Sequence, residues 1–217
     1  MSQSEIKIFA TISILLASLI WVVHFVYFEY DVISLESLKY LNVGITITAT
    51  FWAVYFRRLW KYSYIRKILY RPNINGTWIG EFESNWKNQN GETNPPAKFV
   101  LVVRQHWFST SIRAFTERQK TESYVETLLF DQRKGLKILA YLFSEKASGI
   151  NSTTLRQGAA ELELAENACS TFLEGHFWTR AGTVGYVKVK IVDRKNYVES
   201  FSGALEKWNI ESDWKTT

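Results

Sequence analysis

The sequence is poor in the residues that build disulfide frameworks and metal centres. Its 217 residues include one cysteine, Cys169, and three histidines. A single cysteine excludes an intramolecular disulfide and any paired-cysteine zinc site, and it suits a protein that faces the reducing cytosol. Glycine-rich phosphate loops and the HExxH and GxSxG motifs are absent. The sequence therefore predicts no catalytic residues, no metal and no cofactor.

The chain also lacks a strong charge excess outside its N-terminal third. Residues 1–71 hold eight Lys and Arg against four acids, whereas residues 72–217 hold 18 bases against 17 acids. A protein that tracks a nucleic acid polymer usually carries a large basic surface. The balanced C-terminal part therefore argues against such a partner.

Two long uncharged runs occupy the N-terminal third. Residues 8–28 and 40–56 contain no Asp, Glu, Lys or Arg, and their lengths approach the ~20 residues of a membrane helix. The segment between them is acidic, and residues 57–71 carry six bases without an acid. The positive-inside rule then predicts a two-helix transmembrane hairpin with both termini and the C-terminal part in the cytosol.

The second run carries polar side chains at helical spacing. Asn42, Thr46 and Thr50, here called the polar stripe, share one helix face, while Gly44 and Thr48 share another. Such residues mediate close packing and hydrogen bonds between membrane helices. Two interpretations remain open: the two helices simply pack together, or one face packs the hairpin while the other assembles with neighbouring protomers or lines a water-filled path.

After residue 72 the hydrophobic period changes to two, which predicts β-strands. Eight short strands with one polar face favour an all-β fold, a compact up-and-down antiparallel barrel of lipocalin type behind the hairpin. The expected domains are residues 1–71, with the membrane helices and a basic juxtamembrane helix, residues 72–195, with the barrel, and residues 196–217, with a helix over 196–208 and a loose tail. The predicted strands are residues 76–84, 97–105, 108–115, 123–131, 136–144, 159–165, 171–179 and 185–192.

Polar and aromatic residues are expected on the inner face of this barrel. Each unpartnered polar group in a sealed core costs roughly 1–3 kcal/mol, so their presence indicates either ordered water inside or a ligand inside or at the mouth, and we expect the ligand. Arg104 and Arg180 are candidates for an anion, and Trp78 and Tyr141 for stacking. A Trp78–Arg180 contact also resembles the closure of lipocalin-like barrels, which is a structural alternative. The predicted ligand-binding residues are Trp78, Arg104, Gln105, Thr110, Ser123, Tyr141, Thr179 and Arg180, with Thr127 also facing inward.

The order of several segments resembles a known family. The two uncharged runs are followed by GTW at 76–78, RQHWFS at 104–109, GAAEL at 158–162 and LEGHFWTR at 173–180. This order is similar to that of the SMODS-associated effectors with two transmembrane helices and a β-strand-rich domain, which belong to bacterial CBASS antiphage operons. The resemblance covers all but about the last twenty residues.

The resemblance implies a death effector of the bacterial inner membrane. A partner CD-NTase would make a cyclic dinucleotide during infection, and the cytosolic barrel would bind it. The multi-pass membrane part would then form a homo-oligomer and disrupt the lipid bilayer. Two other classes stay open: a membrane-anchored lipocalin-like carrier of a small apolar ligand, and a structural membrane scaffold.

Overall fold

Two structural units follow one another along the chain, Met1–Pro72 and Asn73–Thr217. The computed structural model describes residues 3–28, 35–62, 64, 72–87, 91–131, 135–145, 157–167, 170–195 and 197–216. Most of the predicted basic juxtamembrane helix lies outside the described residues, as does Cys169.

The first unit contains two long helices, α1 (Gln3–Phe28) and α2 (Leu35–Arg57), and a short 3-10 turn at Leu59–Lys61. Among the described helices, only α1 is long and apolar enough to cross a membrane, over Ile6–Val23 with a mean hydropathy of 2.3. Polar residues within α2 lower its hydropathy. The predicted two-span hairpin is therefore supported in its first helix, and the second span remains a proposal.

The two helices pack through small and aromatic residues. Gly44 is buried against Ile20, and the Trp52 indole Nε1 donates a hydrogen bond of 2.9 Å to Ser13 Oγ. The polar stripe lies on an exposed face of α2 instead. The Gly44 face thus packs within the unit, which leaves the polar stripe open for another partner.

The second unit is a closed antiparallel barrel in which each strand pairs with its sequence neighbours and β8 pairs with β1. This architecture confirms the predicted all-β up-and-down fold, and all eight predicted strands occur. Inward-facing Leu, Val and Trp side chains fill one continuous core. The strands are β1 (Gly76–Ser84), β2 (Ala97–Gln105), β3 (Thr110–Phe115), β4 (Lys120–Asp131), β5 (Leu136–Glu145), β6 (Gln157–Glu166), β7 (Thr171–Thr179) and β8 (Val184–Asp193).

The C-terminal segment packs on the outside of the barrel in two short helices, α3 (Phe201–Lys207) and α4 (Glu211–Trp214). Helix α3 begins later than predicted, because the Ser200 side chain caps it by accepting a 3.0 Å hydrogen bond from the Gly203 N–H. The predicted loose tail is wrong. Trp214 is fully buried in an outer cluster with Ile79 and Val100.

Replacing Trp214 tests whether the tail is part of the folded unit. Trp214→Ala removes a fully buried indole, so the free energy of unfolding should fall by about 3–5 kcal/mol. Calorimetry of the full chain in lipid nanodiscs would measure the loss, with Ile210→Ala as the control because Ile210 is 61% exposed. Equal melting temperatures of the two variants would contradict the packing of the tail on the barrel.

Candidate ligand-binding site

Trp78 and Gln105 hold the chain segment that enters the barrel. The fully buried Trp78 indole donates a 3.0 Å hydrogen bond from Nε1 to the Ile74 carbonyl. Gln105 Oε1 accepts a bond from the Ile74 N–H, and the Gln105 N–H donates to Asn75 Oδ1, both at 2.9 Å. These contacts give both side chains a structural function. Ligand binding by them stays a prediction.

Arg180 lies in the exposed turn between β7 and β8, and Trp78 pairs with Ile191 near the far end of β8. The predicted contact between the Arg180 guanidinium and the Trp78 indole is therefore wrong. Thr179 ends β7 just before this turn, and its Oγ1 accepts a 3.2 Å hydrogen bond from the Thr183 N–H. Both residues sit at the barrel end where β1 finishes.

Four phenylalanine rings narrow the barrel at that end. The Phe82 ring centroid lies 5.7 Å from that of Phe99 and 6.1 Å from that of Phe177, and Phe143 packs against the same core. Gly185 makes room for them, because a Cβ atom there would lie 2.3 Å from Cε1 of Phe177. This end is therefore lined by apolar rings.

Arg104 lies on the outer face of the barrel. Its guanidinium carbon is 5.0 Å from the centroid of the Tyr197 ring, and its Nη2 is 3.7 Å from a carboxylate oxygen of Glu199. Arg113 is also outward and lies 3.5 Å from Glu122. Among the described strand residues no arginine faces inward, so a phosphate in the interior would have to be met by other groups. The predicted role of Arg104 would require a ligand on the outer surface.

The weakest seam of the barrel runs between β3 and β4. The 12-residue β4 pairs with β5 from Thr121 to Asp131, but its ladder with β3 ends at Glu122. Within the described part of the chain, residues 110–112 and 124–131 therefore have no strand neighbour on the sides that face this seam. We call this gap in strand pairing the notch.

A β-bulge in β4 decides which side chains face the notch. The register with β5 shifts between Ser123 and Val125, which places Glu126 opposite Tyr141 and Thr127 opposite Ala140. Opposite residues of an antiparallel pair share a face, and Tyr141 belongs to the inner core. Glu126 therefore faces inward. The predicted inward position of Thr127 is wrong, and Thr127 is exposed.

Polar groups gather on the inner side of the notch. Ser123 Oγ accepts a 2.8 Å hydrogen bond from the Ile112 N–H, and its hydroxyl also lies within hydrogen-bonding distance of a Glu126 carboxylate oxygen. Tyr141 is 6% exposed, and this burial raises the pKa of its hydroxyl. Thr110 lies two residues before Ile112 on the same face. Three predicted residues, Thr110, Ser123 and Tyr141, thus share the inner face of the consecutive strands β3, β4 and β5.

Tyr141 and Glu126 both keep unused hydrogen-bonding capacity. No described residue donates to or accepts from the Tyr141 hydroxyl, and within the same described ranges Ser123 is the one side chain that bonds Glu126. Both groups are therefore available to a polar ligand in the notch.

The family model of the Cap15, cyclic dinucleotide receptor domain matches residues 69–191. This match covers the residues from the start of the barrel to β8 and includes both sides of the notch. The chain belongs to this family. The family expected from the order of the sequence segments is thereby confirmed.

Two curated relatives carry the same name, CD-NTase-associated protein 15. The protein from Escherichia albertii is 30% identical over 149 residues, which cover 67% of this chain and 72% of the relative. The protein from Yersinia aleksiciae is 24% identical over 135 residues, which cover 62% of each. These names associate the relatives with a CD-NTase, the enzyme class that the resemblance implied.

Proposed function

We propose that this chain is a CBASS antiphage effector that binds a cyclic dinucleotide in the notch of its barrel. A CD-NTase encoded with it supplies the ligand during infection, and the chain acts as a receptor without catalysing a reaction. Binding drives copies of the chain to assemble through their membrane helices, which disrupts the bacterial inner membrane. The observation that carries the proposal is the polar cluster of Ser123, Glu126 and Tyr141 inside a cyclic dinucleotide receptor domain.

The notch suits a ligand with two phosphates and two flat bases. The β4 edge beyond Glu122 has backbone N–H groups without a strand partner in the described residues, and such groups bind phosphate oxygens without an arginine. Because the core behind Tyr141 is filled, a base would stack on its phenol ring from the side of the notch, and stacking of a base on an aromatic side chain contributes about 1–3 kcal/mol. Phosphates along the β4 edge and a base on that side of Tyr141 therefore use the groups next to the notch.

Two features of the membrane unit support the proposed assembly. Arg57 ends α2, Arg58 and Lys61 follow it, and by the positive-inside rule such a basic segment supports a cytosolic position of the barrel. The polar stripe is exposed on α2, where a hydrocarbon environment favours hydrogen bonding to another helix. We infer that α2 is the second span and that the polar stripe joins protomers.

The barrel itself offers a second surface for assembly. A row of apolar residues crosses the outer face from β4 to β8, with each member opposite the next in register: Val125, Leu142, Ala159, Trp178 and Val184. Four of them are 38–51% exposed. Because contiguous exposed apolar residues mark interaction sites, this row supports contact between barrels in the assembled state.

A ligand panel tests the receptor against the alternative of an apolar carrier. The full chain in lipid nanodiscs is titrated with cyclic dinucleotides, with the corresponding linear dinucleotides and with fatty acids. We expect saturable binding of a cyclic dinucleotide and a higher melting temperature, since 100 times the Kd stabilises the fold by about 2.7 kcal/mol. Binding of fatty acids alone would favour the lipocalin-like carrier.

A further inference from the structure

Glu126 is an acidic side chain at a site that we propose binds an anion. The presence of a carboxylate there needs a chemical explanation. The bulge between Ser123 and Val125 turns it inward opposite Tyr141. Its contact with the Ser123 hydroxyl uses one carboxylate oxygen and fixes the position of the group. A negative charge near two phosphates opposes binding unless the ligand brings hydrogen-bond donors to it.

The nucleobases differ in the donors that they can bring. An ionised carboxylate only accepts hydrogen bonds, and it has two oxygens side by side. Guanine presents the N1–H and the N2 amine next to each other on its Watson–Crick edge, which matches those two oxygens. Adenine and cytosine place a ring nitrogen acceptor beside their amine, and uracil places its N3–H between two carbonyls. Guanine is therefore the base that a carboxylate pairs with best.

We propose that Glu126 reads the Watson–Crick edge of a guanine, so that the activating ligand is a guanine-containing cyclic dinucleotide. This inference rests on the proposed function and adds its base specificity. Ser123 is a positioning residue, because it orients the carboxylate. Hydrogen bonds to a charged group contribute about 1.5–3 kcal/mol, which corresponds to a preference of about 10- to 150-fold for guanine over adenine.

The test exchanges the carboxylate for an amide of the same shape. The full chain and its Glu126→Gln variant, both in nanodiscs, are titrated with cyclic di-GMP, cyclic di-AMP and cyclic di-IMP, whose hypoxanthine lacks the N2 amine. The wild type should bind cyclic di-GMP most tightly and cyclic di-IMP less tightly. Glu126→Gln should lower the affinity for cyclic di-GMP about tenfold or more. It should raise the affinity for cyclic di-AMP, because glutamine pairs with adenine through a donor and an acceptor.

Glu161→Gln is the matched control, since Glu161 is an exposed glutamate on the outer face of β6 and its substitution makes the same change in net charge. Glu161→Gln should leave the order of affinities for the three ligands unchanged. Wild-type binding of cyclic di-AMP as tight as that of cyclic di-GMP would overturn the inference, as would an equal loss for all ligands in Glu126→Gln. The proposed receptor function would survive both results. Absence of binding to any cyclic dinucleotide would overturn the function as well.

Discussion

Replacing Asn42, Thr46 and Thr50 together with leucine should abolish membrane leakage while the barrel still binds its ligand. The polar stripe is exposed on α2, so it is free to contact another protomer. The two threonine hydroxyls already donate 2.8 Å hydrogen bonds to carbonyls one turn earlier in the helix. The Asn42 amide should therefore carry most of the effect, because its donors and acceptors need a partner in lipid.

Vesicles that contain the full chain and a trapped dye provide the measurement. Addition of a cyclic dinucleotide should release dye from wild-type vesicles and from a Thr46→Val, Thr50→Val double variant, which serves as the control. The triple leucine variant and Asn42→Leu alone should retain the dye. Wild-type leakage by the triple leucine variant would show that the polar stripe is dispensable for assembly.

Trp78→Ala should lower the free energy of unfolding of the barrel by about 3–5 kcal/mol. The indole is fully buried in the core, and its loss also leaves the Ile74 carbonyl without its hydrogen bond. A folded domain of ordinary stability has only about 5–15 kcal/mol in total, so this single change should bring the barrel close to unfolding. Calorimetry of the full chain in nanodiscs would record the change.

Two further variants separate a structural role of Trp78 from a role in stacking. Trp178→Ala removes the same side chain from the outer face, where it is 46% exposed, and should cost much less stability. Trp78→Phe keeps an aromatic ring in the core and should bind cyclic dinucleotides as the wild type does. A stable Trp78→Ala protein with weakened ligand binding would instead assign Trp78 to the site, as the sequence predicted.

The barrel was predictable because its strands alternate cleanly. In β6 the pair Leu162 and Leu164 faces the core while Glu161 and Glu163 face water, and this period of two identifies a strand without any tertiary information. Strands β1, β2 and β7 have the predicted bounds.

The notch was harder to predict because a bulge interrupts the alternation. An unbroken period from Ser123 places Thr127 inside, whereas the extra residue before Val125 brings Glu126 inside instead. Two adjacent large apolar residues, Tyr124 and Val125, are the signal in the sequence that the period breaks there. Neither residue is a glycine, so the usual mark of a bulge is absent.

Long-range contacts explain what the sequence did not predict. The alternation of β2 places Arg104 on the outer face, and the C-terminal segment returns to cover it with Tyr197 and Glu199, which are more than ninety residues away. Trp214 belongs to the same outer layer, although its neighbours in sequence are polar. A local pattern predicts which face a residue takes, but it does not predict what later packs on that face.

Hydrogen–deuterium exchange of the full chain in nanodiscs, with and without a cyclic dinucleotide, tests whether the notch is the ligand-binding site. Alternate N–H groups of β4 point away from β5, and beyond Glu122 no described strand covers them. Without ligand these amides should exchange quickly. Bound ligand should slow exchange in residues 110–112 and 123–130 and leave the turn around Arg180 unchanged. Protection confined to that turn or to the outer face near Arg104, or none in the presence of any cyclic dinucleotide, would contradict a receptor site in the notch.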